Sequence, residues 1–173
     1  MATRENELFN RYRNAAETRP RLKELRAKLL EIGGDEIVCP LDFDQLDDDL
    51  DNILDRGVIW KKWRVRMWEG VESQCHTNSI LLWTVKPDDM RIATGFALSP
   101  DGLWRQHSWC VSKDKRRVYE TTVRRTIYYG YVLTERESLM RFKSILPREM
   151  RHHFKSGWNM ENLRQFRHAL KVA

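Results

Sequence analysis

Between Arg91 and Val132 the chain runs through four stretches rich in β-branched and aromatic residues, and this succession constrains the fold more than any other feature. They are Arg91–Leu98, Leu103–Ser112, Arg117–Thr122 and Thr126–Val132. Turn chemistry separates them, Pro100–Asp101–Gly102 after the first and Lys113–Asp114–Lys115 after the second. The spacing predicts an antiparallel meander.

Helical patterns frame the strands. Glu5–Ile32 reads as helix interrupted at Pro20, with Leu22, Leu25, Leu29 and Ile32 on one stripe and Gly33–Gly34 as the stop. Asp42–Arg56 reads as a second helix with Leu46, Leu50, Ile53 and Leu54 on its buried face and Gly57 at its end. Val58–Trp68 alternates Trp63, Val65 and Met67 with Arg64 and Arg66, the pattern of a half-buried strand or extended segment. Ser79–Val85 belongs to a buried helix with Ile80, Leu81 and Trp83 inside, stopped by Pro87, which puts Cys75 at or near the helix N-terminus. After the strands, Thr134 and Glu137 form a capping box opening a helix through Leu139, Met140 and Phe142 towards Pro147, and the remainder is helical and basic. The expected fold is therefore α+β: a small antiparallel sheet packed on a central helix that carries Cys75 at its N-terminus, with helical N- and C-terminal segments. At 173 residues this suits one domain, in which residues 1–57 are a helical N-terminal segment, residues 58–133 hold the central helix and the sheet, and residues 134–173 are a basic helical C-terminal segment.

Hydrophobic residues at 41% and charged residues at 32% are the balance of a soluble globular chain. The longest apolar run, Ile80–Trp83, is too short for a membrane helix, and the first residues lack a hydrophobic signal core. Cys39, Cys75 and Cys110 are an odd set without tight spacing, which predicts a reducing, cytoplasmic setting with a free thiol. The net charge of +6 resides wholly in the segment from Arg141 onward, where eight Lys and Arg face only Glu149 and Glu161, a pattern that fits nucleic acid, an acidic partner or a solvated helical face.

A thiol becomes a nucleophile when its pKa falls, and a helix N-terminus lowers it through clustered backbone N–H groups, which also stabilise an oxyanion. Cys75 has that address. A four-residue loop Ser112–Lys115 would set His107 opposite Glu120 on one face of the hairpin, so that the carboxylate orients the imidazole as a general base. Gln74, Asn78 and Gln106 are the amides near enough in sequence to support an oxyanion, Gln74 first. Arg105 shares the face of His107 and suits either an acidic substrate group or a surface ion pair.

Taken in order, Cys75–His76–Thr77–Asn78–Ser79–Ile80–Leu81–Leu82, Ala93–Thr94–Gly95–Phe96, His107–Ser108–Trp109 and Glu120–Thr121–Thr122 resemble the transglutaminase-like branch of the papain-like superfamily. That branch is grouped with microbial proteases, peptide N-glycanases and arylamine N-acetyltransferases. The resemblance covers about 50 residues and implies Cys75 as nucleophile, His107 as base, Glu120 in the place usually held by Asp, and Trp109 as the aromatic packed beside the histidine. It implies a cysteine-dependent amide or acyl hydrolase or transferase acting on a protein or peptide substrate through a thioester, with no cofactor.

Other patterns carry less. Zinc is disfavoured because Cys75 and His76 are adjacent, and His107 and Cys110 point to opposite faces of one strand. Asp42, Asp44, Asp47, Asp48, Asp49 and Asp51 lack the central Gly and the twelfth-position Glu of a calcium loop. His152 and His153 diverge on a helix, and Trp104, Tyr128, Tyr129 and Tyr131 suit either a cleft wall or core. The alternative to an enzyme is a binding or inhibitory module that uses its basic tail and aromatic surface to hold a protein or nucleic-acid partner.

Overall fold

The computed structural model describes residues 2–38, 43–61 and 64–145. In chain order they form α1 (Ala2–Thr18), α2 (Pro20–Ile32), β1 (Glu36–Ile37), α3 (Phe43–Arg56), β2 (Val58–Lys61), β3 (Val65–Met67), α4 (Cys75–Val85), β4 (Met90–Leu98), β5 (Leu103–Ser112), β6 (Val118–Glu120), β7 (Ile127–Val132) and α5 (Glu135–Ile145). The protein is α+β. Its strands form one sheet in the order β2-β7-β4-β5-β6-β3, with β1 paired to β5.

Local chemistry sets several of these boundaries. A residue before proline avoids helical dihedrals, and Arg19 is extended while Pro20 takes the first position of α2. Gly33 ends that helix, its N–H donating to the Leu29 carbonyl at 3.2 Å. The capping box at Thr134 is formed: the Thr134 N–H donates to Glu137 at 2.5 Å and the Glu137 N–H to the Thr134 hydroxyl at 3.2 Å.

The chain divides into two compact units. Of the described residues, the first comprises 2–38, 43–61, 64–65, 94–108 and 124–131. Its apolar core includes Tyr12, Leu22, Leu25 and Leu29 from the helical hairpin, Ile53 from α3, and Trp60, Phe96, Trp104, Tyr128 and Tyr129 from the strands. The buried aromatics satisfy their polar tips internally. Tyr12 donates to the Leu22 carbonyl, Trp104 to the Gly33 carbonyl, Tyr129 to the Ile53 carbonyl and Tyr131 to the Asp49 carboxylate. The group Trp104, Tyr128, Tyr129 and Tyr131 is thus core.

The meander is joined by a strand that the sequence pattern did not predict. Glu36 and Ile37 pair in parallel with Leu103 and Trp104, so the sheet is mixed and larger than the small antiparallel one expected. A second correction concerns Val58–Trp68, which forms two strands, β2 pairing with β7 and β3 following it; Trp63 lies outside the described residues. The Asp-rich α3 starts where expected, and Asp49, one of its aspartates, is spent on the Tyr131 hydroxyl.

Gly95 and Gly130 permit β4 and β7 to touch. A Cβ on Gly95, whose φ is +156°, would fall 2.3 Å from the Tyr129 carbonyl oxygen, and one on Gly130 would fall 2.2 Å from the Thr94 carbonyl oxygen. Backbone cannot yield as a side-chain end can. Alanine at Gly95 is therefore expected to destabilise the fold by about 2–3 kcal/mol, read as a lowered urea midpoint at unchanged m-value.

Of the described residues, the second unit comprises 66–93, 109–123 and 132–145. Ile80, Leu82 and Trp83 of α4, Ile92 of β4, Cys110 and Val111 of β5, Val118 of β6, and Leu139 and Phe142 of α5 are its buried apolar residues. Leu81, expected inside, is half exposed, while Asn78, Ser79, Ile80, Leu82 and Trp83 make up the buried side of α4. No helix among the described residues is long and apolar enough to cross a membrane.

Candidate functional site at the start of helix α4

Cys75 is the first residue of α4, and the chain reaches it through a sharp turn. The Gln74 N–H donates to the Val71 carbonyl at 3.3 Å, and Ser73 between them adopts a φ of +61°, left-handed backbone that costs a non-glycine residue about 1–2 kcal/mol. The first intrahelical bond runs from the Asn78 N–H to the Gln74 carbonyl at 2.8 Å. Cys75 itself is half-buried, Gln74 and His76 are exposed, and no acidic side chain occupies the first turn to oppose a thiolate.

Asn78 holds the entry loop in place. Its side-chain oxygen accepts the Val71 N–H at 3.2 Å, and its amide donates to the Val71 carbonyl at 2.7 Å. That commits the side-chain oxygen and one amide N–H to clamping the turn. Gly70 makes room for it: a Cβ there would lie 2.6 Å from the Asn78 Cγ. Gln74 makes no side-chain capping bond.

The same loop ties the segment before Cys75 to the segment of Glu120. The Trp68 N–H donates to the Glu120 carbonyl at 2.7 Å and the Gly70 N–H to the Thr121 carbonyl at 2.8 Å. Glu120 is fully buried, and one oxygen of its carboxylate accepts three bonds, from the Thr121 N–H at 2.8 Å, the Thr122 N–H at 2.9 Å and the Thr122 hydroxyl at 3.0 Å. Three donors on one oxygen fix the rotamer. They also explain why β6 stops at Glu120 although the expected strand continued to Thr122: the next two amides turn inward to the carboxylate.

The β5–β6 register differs from the expected one. Cys110 pairs with Tyr119 and Val111 with Val118, so the next pair in the ladder sets Glu120 opposite Trp109 and not opposite His107. The loop is again four residues, but it is Lys113–Arg116. Asp114 moves it, accepting from the Ser112 hydroxyl and the Arg116 N–H, while the Ser112 N–H donates to the Arg117 carbonyl. Because the slip is two residues, side-chain parity is unchanged.

His107 lies in β5, buried, with its ring centroid 6.3 Å from that of Tyr128. Gln106 beside it is half-buried, and Trp109 is fully buried. Arg105 is spent on a bidentate pair with Asp101 at 2.9 and 2.7 Å, which holds the Asp101 carboxyl below the usual range. Cys110 contrasts with Cys75: it is buried, its thiol lies 3.1 Å from the Ser79 carbonyl, and burial pushes its pKa far up, so it is inert.

Sequence reasoning missed the Trp68–Val71 loop and the two threonines as positioning elements. The signals were Gly70 ahead of the cysteine and Thr121–Thr122 directly after the carboxylate. Among the described residues no cluster of three or more His, Cys, Asp or Glu could hold a metal. Cys39, His152, His153 and the basic residues beyond Lys143 lie outside the described residues. No protein-family model, curated protein or solved structure matches the chain.

Proposed function

We propose that the chain is a cysteine-dependent amide or acyl hydrolase or transferase, with Cys75 as nucleophile, His107 as general base and Glu120 as the carboxylate that orients the histidine. The Cys75 sulfur attacks the substrate carbonyl as its proton passes to His107. Collapse of the tetrahedral intermediate expels the leaving amine, which takes that proton, and water or an acceptor amine then resolves the thioester. The reading extends to a protein or peptide as the acyl donor.

The observation that carries it is the placement of Cys75, half-buried at the first residue of a helix, behind a strained turn and with no acid in the first turn. The buried, triply bonded Glu120 adds support, since an orienting carboxylate must itself be immobile.

Iodoacetamide labelling from about pH 5 to pH 8, read by peptide mass mapping, tests the reading. Cys75 is expected to react with an apparent pKa well below the ordinary thiol value of about 8.5, and His107→Ala to return it to that value. Cys110 should remain unlabelled until the protein unfolds. An ordinary Cys75 pKa, indifferent to His107→Ala, would leave the non-catalytic binding module as the better account.

A further inference from the structure

The opposite end of α4 carries a second feature. Eleven residues at about 1.5 Å each separate Cys75 from Lys86 by roughly 16 Å, and Lys86 forms one wall of a cleft of about 620 Å³. The β5–β6 hairpin supplies the other wall with Lys113, Arg116 and Arg117. We propose that this cleft binds a compact polyanion, a ligand with clustered phosphate groups and the bulk of a nucleotide.

Four cations from two separated segments face one space, and none of them makes a salt bridge among the described residues. All four are exposed at their surface positions, so each retains its donors for a ligand. Lys86 sits with its ammonium 6.0 Å from the centre of the Trp68 ring, which steadies the head group without neutralising it.

Two carboxylates share the lining. Asp114 is committed to the hairpin, accepting from the Ser112 hydroxyl and the Arg116 N–H, and these bonds together with the charges of Arg116 and Arg117 keep it ionised below the usual range. Asp89 is the other, at the lip where its carbonyl accepts the Lys113 N–H. The lining thus keeps a net surplus of two positive charges. Met90 and the half-buried Tyr119 ring complete it and offer an apolar surface for a non-phosphate portion.

The size of the space decides between ligand classes. A volume of this order is that of a small-molecule site, and cations at its two walls grip a compact charge cluster better than an extended acidic peptide, whose carboxylates are spread along a strand. The proposal is independent of any chemistry at Cys75.

Calorimetric titration of the full chain with sodium tripolyphosphate tests it, with an oligoglutamate peptide in parallel. One-to-one saturable binding is expected, weakened at least about tenfold in Lys86→Ala and in Arg117→Ala, and unaltered in Lys61→Ala and Cys75→Ala. Both cleft positions are exposed, so thermal midpoints should match the parent protein. Equal affinity of the parent and both cleft variants would move the anion to other basic residues and overturn the assignment. So would absence of saturable binding, or tighter binding of oligoglutamate than of tripolyphosphate.

Discussion

Alanine in place of Glu120 is expected to cost the folded protein about 3 kcal/mol, whereas glutamine should cost less than about 1 kcal/mol and still slow the alkylation of Cys75 at neutral pH about a hundredfold. The difference follows from how the carboxylate is held. One oxygen takes the Thr121 N–H, the Thr122 N–H and the Thr122 hydroxyl, and alanine would strand these donors at a buried strand end. Glutamine keeps a carbonyl oxygen for them, so the strand end and the loop hung on the Glu120 and Thr121 carbonyls should survive. In the proposed mechanism glutamine lacks the negative charge that would stabilise an imidazolium, and its N–H₂ meets a ring N–H that needs an acceptor.

Urea denaturation gives the first quantity and the second-order alkylation rate the other. A glutamine variant with native stability and native Cys75 reactivity would confine Glu120 to holding the loop, and the triad would lose its third member. An alanine variant of native stability would mean that the three hydrogen bonds contribute little.

Features encoded by neighbouring residues were legible in the sequence. The break before Pro20, the stop at Gly33, the Thr134–Glu137 capping box and the start of α4 near Cys75 each depend on contacts within about four residues. Features that depend on distant backbone were not. β1 is two residues long, too short for any periodicity, and it exists because the Asp35 N–H reaches the Gly102 carbonyl and the Val38 N–H the Trp104 carbonyl.

The candidate site divides along the same line. Cys75, His107 and Glu120 stand out as residue types in a suggestive order, but the hairpin register turned on Asp114, whose two contacts accompany a loop moved by one residue. Asn78 is legible as a candidate oxyanion amide only from its nearness to Cys75 in sequence. Its clamp on Val71 arises from a loop whose course is set by pairing with residues 120 and 121, about fifty positions away.

Glu36→Ala is expected to lower the unfolding free energy by about 2–3 kcal/mol at pH 7, an effect that should shrink in acid. The Glu36 side chain is 7% exposed and receives Arg13 at 2.8 and 2.6 Å, Arg26 at 3.1 and 2.9 Å, and the Ile37 N–H at 3.0 Å. Burial alone would raise its pKa; the bonds from Arg26, Ile37 and Arg13 outweigh burial and hold the carboxyl below the usual range. A carboxyl whose pKa is lower folded than unfolded stabilises fully above the unfolded value of about 4.3, and the contribution is lost as pH falls through the folded value. Because Arg13 is 54% and Arg26 32% exposed, both guanidinium groups can return to water, which sets the cost below the roughly 3–5 kcal/mol typical of breaking a fully buried pair. Urea titrations of parent and variant at pH 7 and near pH 3 read the difference directly. A gap of equal size at both pH values would assign the loss to packing and remove the ionic account. Arg21, which spans Glu24, Asp51 and Asp55 on the open surface, provides the contrast: its pairs are exposed on both sides, and Arg21→Ala should leave the urea midpoint close to that of the parent at either pH.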